Sequence, residues 1–413
     1  MRTLFRGGNV FDGTGSAPAI ADIAVEDGRI VDVGVGLDGD EAVDVAGRGV
    51  LPGLFDCHTH VTVSRFDYMG LLQRPFSYQF YEAVRNLRRT LDVGITTIRD
   101  AHGADLGVKQ AVDDGLIAGP RMQISVTALS QTGGHGDGWM PSGNRVELMP
   151  SHPGRPDGIA DGVEEIRRKV RELVRAGADV IKVFTSGGVL SPRDDPRHPH
   201  YRLPELQVLV EEATAAGVWV MAHAQGADGI KNAVRAGVRS IEHGIFLDDE
   251  GIELMLDAGA WLVPTLSAPQ AVIDMVEAGG SLPEAVVAKA RSVVEVHRVA
   301  VRRAVDAGVK IAMGTDSGVG AHGDNLREVE LMAQVGMTPA QALVATSSEA
   351  ARLLGVDREL GTIERGKRAD LVVIDGDPLD LRGLGQRVLA VWMDGARVDS
   401  GAAATSLPTK SLG

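Results

Sequence analysis

From about residue 90 onward the chain repeats one phrase: a helical stretch, a glycine, then a short apolar run. It reads LDVGITTI, VRAGADVIKV, TAAGVWVMAH, VRAGVRSIEH, LDAGAWLVPT and VDAGVKIAMG, with the glycines at Gly94, Gly177, Gly217, Gly237, Gly259 and Gly308. Glycine at that place suits the left-handed residue that ends a helix before a strand begins. The helices between have their own logic. Val163, Ile166, Val170, Leu173 and Val174 form a stripe at helical spacing, with Glu164–Arg168 and Glu165–Lys169 pairs on the other face. The strands are nearly continuous apolar runs, as expected of a parallel sheet covered on both faces.

Adding the run that ends at His60 and the run Arg121–Val126 gives eight strands alternating with helices. The fold class expected is α/β, a (β/α)8 TIM barrel over residues 53–358. A doubly wound open sheet is the alternative, and it is disfavoured because no Gly-rich phosphate loop follows the first strand. The flanks differ. ADIAVE, Asp27-Gly28 and RIVDVG read as a hairpin with a type I′ turn, and ADLVVID and RVLAVWM near the other end read as similar strands. Residues 1–52 and 359–400 are therefore expected to form one small β-sandwich domain from both chain ends, with 401–413 a loose tail. Residues 128–162 and 188–204 break the rhythm and read as binding loops or lids.

With 413 residues, 44% of them hydrophobic, the chain can bury a large core. A formal net charge of -14 argues against nucleic acid and anionic membrane surfaces as partners. No run is long enough for a membrane span. Met1 to Gly15 lacks the order of a secretory signal, and the single cysteine, Cys57, excludes an internal disulfide framework. A cytoplasmic location is expected.

At the end of the first barrel strand stands His58-Thr59-His60. Alternate strand residues face one way, so both imidazoles are aimed at one spot, as metal ligands would be. Lys182, His223, His243 and Asp316 each sit in or at the end of their own strand, where barrel enzymes carry their chemistry. Lys182 is the telling member: an ammonium in an apolar strand is costly to desolvate, so it must be paired, neutral or modified. As a neutral amine it could take up carbon dioxide to become a carbamate, an anion able to bridge two metal ions. Taken singly, His223 or His243 reads as a hydrogen-bonded core histidine and Asp316 as a helix cap. Six such residues on five staves of one barrel read as a site. Asp56 reads as structural, Cys57 as a core thiol, and Arg99–Asp100 as a structural ion pair.

In FDCHTH, VIKVFTSGG, MAHA, IEHG, GTDSG, ATSSEAARLLG and GTIERGKRADLVVID the chain resembles the metal-dependent amidohydrolase superfamily, in its binuclear, carboxylated-lysine branch. TGGHGD and VFTSGGVLSP are most similar to the prolidase-like group, which cuts Xaa-Pro dipeptides and N-acyl amino acids. The resemblance implies two divalent ions, Zn2+ first among the candidates, with His58, His60, Lys182 and Asp316 on one and Lys182, His223 and His243 on the other. It implies attack by a hydroxide shared between the ions, with Asp316 as general base and then acid. It also implies that His135 and Tyr201, in the loops after strands three and four, contact the substrate carbonyl or carboxylate. His198, His200, Arg193, Arg197 and Arg202 flank the same mouth, where one arginine could fork onto a carboxylate and the rest read as a solvated lid. His102, His152, His297 and His322 have no assigned role, with His322 expected nearest the site. The partner implied is a small amide or dipeptide, acted on by a homo-oligomer. Two related chemistries stay open: a xenobiotic aryl–amino acid amide of the ochratoxin type, and cyclic amides or amidines of the imidazolonepropionase type, against which Lys182 counts. A barrel kept only as a scaffold would not retain every ligand position.

Overall fold

The computed structural model describes residues 1–64, 73–140, 142–191, 194–280, 282–398 and 409–411. Two compact units emerge: Met1–Asp56, Arg88–Thr97 and Gly323–Gly413 in one, Cys57–Leu87 and Ile98–His322 in the other.

The first unit is built on β1 (Arg2–Val10), β2 (Ala19–Glu26), β3 (Arg29–Gly34), β4 (Glu41–Asp44) and β5 (Arg48–Pro52). The barrel strands follow in sequence. They are β6 (Leu54–Thr59), β7 (Ile95–Asp100), β8 (Arg121–Ile124), β9 (Ala128–Leu129), β10 (Val180–Phe184), β11 (Trp219–Ala224), β12 (Ser240–His243), β13 (Trp261–Val263) and β14 (Lys310–Ile311). The chain then adds β15 (Leu371–Asp375), β16 (Val388–Met393), β17 (Ala396–Arg397) and β18 (Thr409–Ser411) to the first unit. Its sheet runs β17-β16-β15-β5-β1-β2-β3, with β4 beside β1 and β18 beside β4. Apart from Thr409–Ser411, the tail lies outside the described residues.

The β2–β3 turn has left-handed backbone at both Asp27 (φ 48°) and Gly28 (φ 76°), as a type I′ turn requires. The sheet buries Phe5, Ile23, Ile30, Val43, Leu371 and Val373, and the Phe5 and Trp392 rings meet edge to face at 5.0 Å. Leu4 and Phe5 are both buried, so β1 is covered on both faces there, and its pairing with β2 shifts register between Phe5 and Gly8.

In the second unit β9 to β14 pair in parallel, each with the next. β8 and β9 are one stave interrupted at Val126, which takes φ 65°. Counting them once gives eight staves among the described residues. The ring closes through the Cys57 amide on the Met313 carbonyl (2.9 Å) and the Asp316 amide on the His58 carbonyl (2.7 Å). All six repeat glycines are left-handed, with φ between 63° and 92°. At Gly237 the cap amide returns to the carbonyls of Ala233 and Val234, which ends the helix and releases the chain into β12. Among the described residues no helix is long and apolar enough to cross a membrane.

Candidate active site

A cavity of about 460 Å³ opens among the ends of the staves. His58, His60, Lys182, His223, His243 and Asp316 all line it. The strand period puts His58 and His60 on one side of β6, and β10, β11 and β12 deliver Lys182, His223 and His243. His243 and Asp316 adopt φ 72° and 59°. For non-glycine residues such backbone costs about 1–3 kcal/mol, and it recurs where a side chain must be aimed for function.

The ligand atoms of His58, His60 and Asp316 lie within 4.8 Å of one another. Asp316 Oδ1 is 3.0 Å from His60 Nε2 and 3.5 Å from His58 Nε2. Lys182 Nζ is 3.4 Å from the same His58 nitrogen. Ring centroids step from His58 to His243 (5.0 Å) and on to His223 (4.7 Å).

Each imidazole has one nitrogen hydrogen-bonded to a group outside this cluster. His58 Nδ1 donates to Glu242 Oε2 (2.8 Å), and His60 Nδ1 donates to the His102 carbonyl (2.9 Å). His223 Nε2 donates to the Gly187 carbonyl (3.1 Å), and His243 Nδ1 meets Thr265 Oγ1 (2.7 Å). Such bonds fix ring orientation and leave the second nitrogen to a cation, the arrangement found around histidine-bound metals. Burial first, then the nearby Lys182 charge, drives His58 well below the usual histidine range. His223 and His243 are likewise held low, chiefly by burial. Neutral rings are what a metal ion needs. At His60 burial pulls down, but the hydrogen bond and charge of Asp316 outweigh it and raise the ring. Burial pushes Asp316 up, yet His58 and His60 overcome it and keep the carboxylate ionised. Lys182 is brought down to about 8, chiefly by burial, with Glu242 and Asp316 opposing. The donor set thus fits divalent cations.

Behind the histidines lies a group that sequence reasoning missed. Glu242 is fully buried, bonding His58 with one oxygen and Arg99 Nη2 (2.9 Å) and Ser240 Oγ (2.6 Å) with the other. The signal was present, since a carboxylate inside the apolar run SIEH raises the same desolvation question as Lys182. The expected Arg99–Asp100 ion pair is replaced by this one. Neighbours on a strand point to opposite faces, so Arg99 meets Glu242 and the Cys57 carbonyl while Asp100 accepts the amides of Val61 and Ala104. Asp56 accepts from Asn325 (2.8 Å), and Cys57 is buried.

The loop residues divide. His135 lines the cavity and stacks on His223 at 4.5 Å, its Nδ1 bonded to Ser191 Oγ and Asp194 Oδ2. Tyr201 is not brought to the cavity: its hydroxyl donates to the Ala160 carbonyl, which ties the two long loops together. His198, His200, Arg197 and Arg202 are absent from the lining, and Arg193 lies outside the described residues. The guanidinium among the lining residues is Arg145, from the 128–162 loop. Of the unassigned histidines, His102 and His297 line the cavity. His322 instead sits behind it, on the carbonyls of His60 and Val63. Trp139, Leu148, Phe184, Ile245 and Val272 supply an apolar wall.

The model of the Amidohydrolase family matches residues 50–402. Ochratoxinase of Aspergillus niger is 37% identical over 345 residues, which cover 80% of this chain and 71% of that protein. A crystallised prolidase complexed with N-methylphosphonate-L-proline superposes with a TM-score of 0.88 at 36% identity, covering 97% of this chain and 100% of the other. A Xaa-Pro dipeptidase with methionine bound in its active site gives 0.88 at 33% identity, with the same coverage.

Proposed function

The chain belongs to the amidohydrolase family and is a metal-dependent C–N hydrolase; from that premise we propose that it cleaves an amide bond next to a carboxylate, in Xaa-Pro-type dipeptides or N-acyl amino acids. The observation that carries the reading is the convergence of six polar side chains from five staves on one cavity. His58, His60 and Asp316 would hold one ion and His223 and His243 a second, with Lys182 shared between them. Zinc is the first candidate, since imidazole and carboxylate donors suit it.

Lys182 would act as a carbamate. A buried amine with its pKa near 8 is largely neutral at slightly alkaline pH and nucleophilic. Its nitrogen bonds the carbon of CO₂, and the proton lost returns to solvent. The ions, when bound, supply Lewis acidity that polarises the scissile carbonyl and makes water ionisable near neutrality.

The chain's own groups would do the rest. Asp316, held ionised, accepts the proton of the attacking water and returns it to the leaving nitrogen. His135, fixed through Nδ1, turns its other nitrogen to the substrate. Arg145, at the cavity wall, offers a planar fork to the substrate carboxylate. The apolar wall supports a second, related reading, in which the acyl group is a bulky aryl acid, as the likeness to an ochratoxinase also suggests. A cyclic-amide hydrolase that uses one ion would leave Lys182 without a role.

Prolonged chelation is expected to abolish turnover of a dipeptide and N-acyl amino acid panel. Adding zinc, cobalt or manganese should bring it back. Undiminished turnover in metal-stripped protein would refute the reading.

A further inference from the structure

The loop after β10 is gathered onto one ammonium. Lys289, on helix Glu284–Ala307, places Nζ 2.7 Å from the Gly188 carbonyl, 2.5 Å from that of Ser191 and 2.9 Å from that of Asp194. Asp194 Oδ1 lies 3.4 Å away. An ammonium has three hydrogens, and three carbonyls surround this one. The Asp194 carboxylate accepts the Gly188 amide (3.0 Å) and bonds His135 Nδ1 (3.0 Å), while Ser191 Oγ meets the same ring nitrogen at 2.8 Å.

The His135 ring is confined on both sides. It stacks on His223 with 20° between planes. Against Gly188 the approach is so close that a Cβ there would stand 2.2 Å from His135 Cε1. Glycine is required at that position for the ring to be where it is.

We propose that Lys289 and Asp194 are positioning residues for His135: the ammonium gathers the Gly188, Ser191 and Asp194 carbonyls into a clamp whose carboxylate and glycine backbone hold the imidazole at the cavity wall. Neither residue needs to touch substrate. The inference rests on the reading that His135 contacts the substrate, and it assigns to a helix outside the ligand set the task of keeping that contact in place. Lysine suits the position because a compact point charge can sit among three carbonyls that a planar guanidinium would spread apart.

Lys289→Met is expected to lower kcat/KM by about 10- to 100-fold, with the same division between kcat and KM as His135→Ala. In the His135→Ala background it should cost less than about twofold more, because the residue it positions is gone. Gly188→Ala, which leaves the ammonium contacts in place, should reproduce the His135→Ala loss. Equal losses from Lys289→Met in both backgrounds would overturn the proposal. A second readout needs no substrate: amide hydrogen exchange over residues 187–191 and 194–198 should quicken about tenfold in metal-loaded Lys289→Met, with the barrel helices unchanged. Unchanged exchange there would also overturn it. Should the wild-type protein cleave none of the amides, the substrate class is refuted, and the exchange result still decides the clamp.

Discussion

Lys182→Ala is expected to reduce kcat/KM by at least about 10³-fold, equivalent to about 4 kcal/mol of transition-state stabilisation. Lys182 is 1% exposed and stands 3.4 Å from His58 Nε2, within the ring formed by His223, His243 and Asp316. Under the proposed two-ion arrangement truncation removes the group shared between the ions, so ion content should fall together with rate. The fold should survive. Deleting a buried, costly amine relieves desolvation as it opens a cavity, and the melting temperature reports the balance. Steady-state kinetics with added zinc, run beside a melting curve, separate loss of chemistry from loss of structure. A folded Lys182→Ala protein at wild-type kcat/KM would remove the lysine from the mechanism.

Glu242→Gln should weaken two properties at once. Its carboxylate is the buried counter-charge of Arg99 and the acceptor that holds His58 Nδ1. Neutralising it leaves a guanidinium unpaired in the interior, which costs about 3–5 kcal/mol. The amide also keeps only one acceptor oxygen for the two places the carboxylate fills, so holding Arg99 and Ser240 turns its NH2 against His58 Nδ1, and loss of such a partner typically lowers metal affinity about 10- to 100-fold. The expected result is a lower melting temperature and a weaker zinc titration against a competing chelator. Glu242→Gln protein that matches wild type in both would show the triad to be incidental. An effect on melting alone would assign Glu242 to the core and leave His58 held by other contacts.

The barrel was legible because its signals are periodic. Six glycines recur at the helix-to-strand step, and each takes the left-handed backbone its position demands. The six polar residues now around the cavity were legible for a related reason. Strand geometry fixes which way a side chain points, so His58 and His60 could be assigned one direction from spacing alone. Glu242 obeys the same rule, but its role depends on Arg99 and His58, partners distant in sequence. Arg99 and Asp100 are adjacent in sequence, and adjacency on a strand sends their side chains to opposite faces.

The loops offered no such rule. Tyr201 and Arg145 lie in aperiodic segments where side-chain direction depends on contacts distant in sequence. Tyr201 turned to the Ala160 carbonyl, and Arg145 came to the cavity from a segment with no arginine expected at the mouth. The clamp around Lys289 has the same character. A lysine in the second turn of a long helix is unremarkable in sequence, and only the folded loop brings three carbonyls to it.

The most direct test is elemental analysis of protein purified without chelator or acid, expressed as divalent ions per chain. A binuclear site bridged by Lys182 predicts about two. Fully active protein carrying none would contradict the account.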